Sequence, residues 1–136
     1  MKRGGVFLCL FCVLFAGSFF TVTSYAVEGS VFTVSRLVIC ENVVDREPVE
    51  IINTVASGIQ EVSCFLEATD IVADTMVNFV WIHEGTIRNE VTLPVKMGPR
   101  WRTYVSKKLG TWTGNWTVEL RDANGSMIDS VAFVVE

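Results

Sequence analysis

The single histidine, His83, stands directly before Glu84, and an imidazole beside a carboxylate can act as a general base or hold a metal. A metal site would need a second histidine, a cysteine pair or an acidic cluster at ligand spacing, and no such set accompanies His83 in the sequence. His83 is therefore expected as an exposed residue at a strand end. No Gly-x-Ser-x-Gly elbow and no phosphate-cradling glycine loop occurs. Glu41, Asp45, Glu47, Glu84 and Glu90 could supply two carboxylates for glycoside cleavage if they met in space, but no substrate groove is marked. The expectation is a protein that is not an enzyme and uses neither cofactor nor metal.

A more distinctive block is Pro99-Arg100-Trp101-Arg102-Thr103-Tyr104, followed by Trp112-Thr113-Gly114-Asn115-Trp116-Thr117. Aromatic planes supply contact area and arginines supply directed hydrogen bonds. Arg100, Trp101, Arg102, Tyr104 and Trp112 are therefore the expected contact surface, suited to sugar rings or an extended peptide. The competing expectation makes Trp101 and Trp116 core anchors. For Trp116 this is favoured, because it shares a strand face with Val118 and Leu120. The sequons at Asn115 and Asn124 are read as coincidences of β-rich composition.

Positioning these residues falls to a chain expected to begin with an export signal over 1–26. Lys2 and Arg3 precede an apolar run from Val6 to Phe20, and Ser24-Tyr25-Ala26 offers a small-residue cleavage site. An uncleaved anchor is the alternative, and either outcome carries 27–136 out of the cytoplasm as one domain. Without Lys2 and Arg3 there remain nine Lys and Arg against fifteen Asp and Glu, a formal charge of −6. That balance disfavours nucleic acid and anionic membranes as partners. Cys40 and Cys64 are the only cysteines after the signal. In an oxidising compartment they are expected to form a disulfide, with two buried free thiols as the alternative.

Valine, threonine, isoleucine and aromatic residues alternate with polar ones from Val31 onward, which predicts strands near 33–43, 49–54, 61–69, 75–83, 87–96, 100–109, 115–121 and 127–135. Val62, Cys64, Leu66 and Ala68 form a predicted inward face. Asn124-Gly125 predicts a tight hairpin, and 69–74 is read as a possible site for one helical turn. The fold class expected is all-β, an antiparallel immunoglobulin-like sandwich of seven to eight strands after an N-terminal signal helix, with a small barrel as the runner-up.

The cysteine-ended first strand, Asp45-Arg46-Glu47-Pro48, Cys64-Phe65, Val80-Trp81, Trp101-Arg102-Thr103, Trp112 to Trp116 and the Asp122 to Gly125 turn together resemble a bacterial family, domain-of-unknown-function family 2914. The resemblance runs from about Leu37 to Val135. It implies an exported or membrane-tethered β-sandwich with no established activity, so no catalytic residue carries over. Many members have a histidine where this chain has Phe79, and any role of that histidine is not transferred. The expected function is a periplasmic or extracellular binding module for an envelope protein or glycan, in contact with the membrane only through an uncleaved N-terminus. The alternatives are a structural accessory domain and a carbohydrate-binding or carbohydrate-active domain.

Overall fold

The computed structural model describes residues 31–56 and 58–136; the expected signal helix over 1–26 lies outside them. Nine strands and no helix occur among the described residues: β1 Thr33–Val44, β2 Glu47–Ile51, β3 Thr54–Val55, β4 Glu61–Ile71, β5 Thr75–His83, β6 Thr86–Val95, β7 Gly98–Lys108, β8 Gly114–Arg121 and β9 Met127–Val135. They form two sheets, ordered β2-β1-β4-β7 and β3-β9-β8-β5-β6. Every pairing is antiparallel except the two-residue contact of β3 with β9.

One apolar core unites the two sheets. Side chains alternate across a strand, so Val62, Cys64, Leu66 and Ala68 of β4 meet Val77, Phe79 and Trp81 of β5 and Trp116, Val118 and Leu120 of β8. The segment 69–74 makes no helical turn: β4 continues to Ile71 and β5 starts at Thr75. In the β8–β9 turn only Gly125 has positive φ, 83°. Asn124 instead donates its amide to Asp122 Oδ1 at 2.8 Å, and Ser126 does the same at 2.9 Å.

The outer face of the first sheet is partly roofed by its own hairpin. Asp45 and Arg46 both adopt positive φ, 51° and 60°, the backbone needed for a two-residue hairpin turn. Pro48 is accommodated because β2 is an edge strand. From β2, Glu47 reaches Arg36 Nη2 at 3.1 Å and also pairs with Arg102 on β7. Arg36 in turn binds Glu67 at 2.9 Å, and Ser35 Oγ donates to the same carboxylate at 3.1 Å. Beneath this network lies Phe65, fully buried with the Arg36 guanidinium 5.1 Å from its ring centre; Cys40, also fully buried, is on the same face of the sheet.

The expected disulfide is corrected by the register. Ile39 lies opposite Cys64 and Cys40 opposite Ser63, so the two cysteines project from opposite faces of the sheet. A bond needs converging Cβ vectors, and both thiols are free and buried. Burial is the main cause pushing both thiol pKa values up, which keeps them as unreactive thiols. Alkylation without reductant, followed by peptide mapping, should modify Cys40 and Cys64 after denaturation and neither in the folded protein. A disulfide-linked peptide pair would contradict the register.

Candidate functional site

The chain leaving β7 turns through Gly110 and crosses one end of the domain before entering β8. Trp116, at the start of β8, points inward and is 1% exposed. Its ring stacks on Phe133 at 5.9 Å, and its Nε1 donates to the Trp112 carbonyl at 3.2 Å. That bond fixes the loop so that Trp112, 40% exposed, lies 6.2 Å from Trp116 in a stacked arrangement. Gly114 is needed at this crossing: its φ is 106°, and a Cβ there would run into the Glu84 carboxylate. Glu84 Oε1 accepts the Asn115 amide at 2.6 Å.

His83 closes the aromatic group. It stands at the end of β5 as expected, but it is half-buried rather than exposed. Its ring is 4.8 Å from Trp116 and 5.3 Å from Trp112. Because the Thr113 carbonyl can only accept, His83 Nε2, 2.7 Å away, is the donor. Nδ1 has no partner. The imidazole thus acts as a packing and anchoring group for the 112–114 loop.

Cations gather on this aromatic platform. The Arg88 guanidinium sits 3.9 Å from the centre of the Trp112 ring, a cation–π contact. Arg88, Lys107, Lys108, Trp112 and Trp116 border a hollow of about 230 Å³ with Leu109 in its lining. None of these three cations is in an ion pair among the described residues, whereas Arg36, Arg102 and Arg121 all are. Unpaired cations beside a rigid, partly exposed indole can receive an anionic group and an adjoining apolar or ring surface.

The expected contact surface is divided by the structure. Arg100, Arg102 and Tyr104 share the outer face of β7, opposite Thr69, Glu67 and Phe65. Trp101 faces the other way and packs against the core. Arg102 and Tyr104 border a separate hollow of about 220 Å³ with Arg46 and Phe65. Trp112 is not part of it; the Trp112 hollow draws on Lys107 and Lys108 instead. Sequence reasoning missed Arg88, Lys107 and Lys108. The adjacent lysines at the end of a predicted strand were a usable signal, but Arg88 comes from β6, and only the tertiary fold sets it on Trp112.

Other concavities offer less chemistry. A hollow of about 440 Å³ between β1, the β2–β3 link and β9 includes Leu37, Ile39, Ile51, Ile52 and Val131 and has no charged lining residue. A groove of about 430 Å³ contains Glu84 and Glu119, but Glu84 is engaged by the Asn115 amide and Glu119 by Arg121 at 2.7 Å. Among the described residues no three His, Cys, Asp or Glu side chains form a group that could hold a metal ion.

No curated protein matches the chain in sequence. Among solved structures it is similar to the crystal structure of a beta-glucosidase from Listeria innocua in complex with glucose, at 8% identity and a TM-score of 0.48. That likeness covers 76% of this chain and only 15% of the other. The sequence model of the family described as protein of unknown function (DUF2914) matches residues 74–135. Cys40, the Asp45 to Pro48 turn and Cys64 lie before that match, which takes in β5 to β9 together with Trp101, Trp112 and Trp116. Over residues 74–135, a little under half of its length, the chain is similar to the DUF2914 family.

Proposed function

We propose that this chain is an exported, non-enzymatic binding module, an immunoglobulin-like sandwich that offers the Trp112 hollow to an anionic partner in the bacterial envelope. The observation that carries this reading is the concentration of Arg88, Lys107 and Lys108, in no ion pair among the described residues, around a 40%-exposed tryptophan. It stands out because the chain beyond residue 26 is acidic. Export is supported by Lys2, Arg3, the apolar run and the small residues before Val27. Periplasmic or extracellular release follows from cleavage; tethering to the inner membrane follows from retention. The engagement of His83 by Thr113 and the two indoles supports a role in packing rather than proton transfer.

Screening immobilised envelope glycans and envelope proteins against the purified chain tests the site. Trp112→Ala and Lys107→Glu should each weaken a captured partner about tenfold or more, as expected of an aromatic anchor and of charge reversal. Arg121→Ala, at the opposite end of β8 from Trp116 and paired with Glu119, should leave binding intact. Partners held equally by both hollow variants would remove the hollow as the contact site. A purely structural role is the second reading, favoured by the bond from Trp116 Nε1 to the Trp112 carbonyl.

A further inference from the structure

β7 is the outermost strand of the first sheet, paired with β4 on one side and, among the described residues, with no strand on the other. In an antiparallel pair the backbone groups of alternate residues point toward the partner and the rest point away. β7 has 11 residues, so a long row of amides and carbonyls faces outward. Among the described residues, the backbone-to-backbone hydrogen bonds made outside the strand ladders use none of residues 98–108. Such an edge is a template for another strand.

Charge decides which strand. β7 carries Arg100, Arg102, Lys107 and Lys108 and no acidic residue. A second copy of β7 would set cation against cation, which is destabilising for directly opposed pairs. An acidic segment would be attracted. Strands β6 and β9 differ in charge: β6 carries Glu90 beside Arg88, and β9 carries Asp129 and is joined at its end by β3. Beside β7 lie the two hollows already described, one at Arg102 and Tyr104 and one at Lys107 and Lys108. They are about five residues apart, roughly 17 Å along a strand, within reach of one short extended peptide. Main-chain pairing with side-chain pockets at intervals is the arrangement by which sheet edges recognise peptides.

We infer that the free edge of β7 docks an extended acidic segment of a partner protein, which adds as a strand and sets a carboxylate into the Trp112 hollow. This rests on the reading of that hollow as the contact site. Arg102 already pairs with Glu47, so at that position the incoming carboxylate exchanges for an internal one. Arg100, Lys107, Lys108 and Arg88 have no such competitor among the ion pairs of the described residues.

Fluorescence anisotropy on the full chain, with a labelled heptapeptide alternating glutamate and valine, tests the inference. The peptide should bind at least tenfold more tightly than its lysine–valine counterpart. N-methylation of one alternate set of its amides should weaken binding at least tenfold, while methylation of the other set leaves it within about twofold. Equal binding of the lysine peptide, or indifference to both methylation patterns, overturns strand addition. If an acidic oligosaccharide, oligogalacturonate, then still binds in a Trp112-dependent way, the hollow stands and the peptide edge falls. If neither probe shows any Trp112-dependent binding, both readings fall.

Discussion

Trp116→Ala should destabilise the domain by about 3–5 kcal/mol, the range for truncating a large buried aromatic. The ring is 1% exposed, stacks within 9° of parallel on Phe133, and holds His83 and Trp112 on its other contacts. Its loss leaves a cavity between β8 and β9 and removes the donor to the Trp112 carbonyl. For a domain of this size the melting midpoint should fall by more than about 10 °C. Trp116→Phe retains a ring against Phe133 but not the hydrogen bond, so it should cost about 1–3 kcal/mol. Urea or thermal unfolding followed by circular dichroism measures both. A loss below about 1 kcal/mol for the alanine variant would place Trp116 outside the core.

The second large effect is acid sensitivity at the roof of the first sheet. Arg36 is the leading cause holding the carboxyls of Glu47 and Glu67 below the usual carboxylate range, with Arg102 aiding Glu47 and Ser35 aiding Glu67. Glu67 is the leading cause raising the Arg36 pKa, and Arg36 does not titrate in the acid window. A carboxylate with a lowered folded pKa stabilises the protein fully above its unfolded value, about 4.3, and loses that contribution as pH falls through the folded value. Stability should therefore hold from pH 7 to about 5.5 and decline below it. Glu67→Gln should cost about 1–2 kcal/mol at pH 7, a figure discounted because the Arg36 side chain is 34% exposed and screened by solvent. That cost should shrink as pH falls below the unfolded value toward the lowered folded one, because the native carboxylate then loses its charge as well. A Glu67→Gln cost unchanged between pH 7 and pH 3 would show that the ion pair does not contribute.

Local patterns in the chain carried the strands well. Val62, Cys64, Leu66 and Ala68 alternate because one face of β4 meets the core, and that alternation is visible without tertiary knowledge. β7 was less legible: Trp101, Thr103 and Val105 could be inward or outward by composition. Their placement opposite Ala68, Leu66 and Cys64 resolves it. The cysteines misled because their likeness of environment says nothing about register, and a one-residue offset sends side chains to opposite faces. His83 misled because a strand end is exposed only if no loop folds over it, and here Thr113 and Trp112 do. The Trp112 platform combines residues from β6, β7 and the loop before β8, so no local window contains it. Phe65, on the outer face of β4, is buried because the β1–β2 hairpin brings Glu47 across to Arg102, a curvature that the strand pattern does not encode.

Charge-selective fluorescence quenching tests the central claim most directly. Trp81 and Trp116 are buried, Trp101 packs against the core, and Trp112 is exposed beside three cations. Iodide should therefore quench one class of tryptophan strongly, caesium should quench it several-fold less, and Trp112→Phe should abolish the iodide-accessible class. Equal quenching by the two ions, or iodide quenching that survives Trp112→Phe, would contradict an exposed tryptophan in a cationic hollow and with it the binding site.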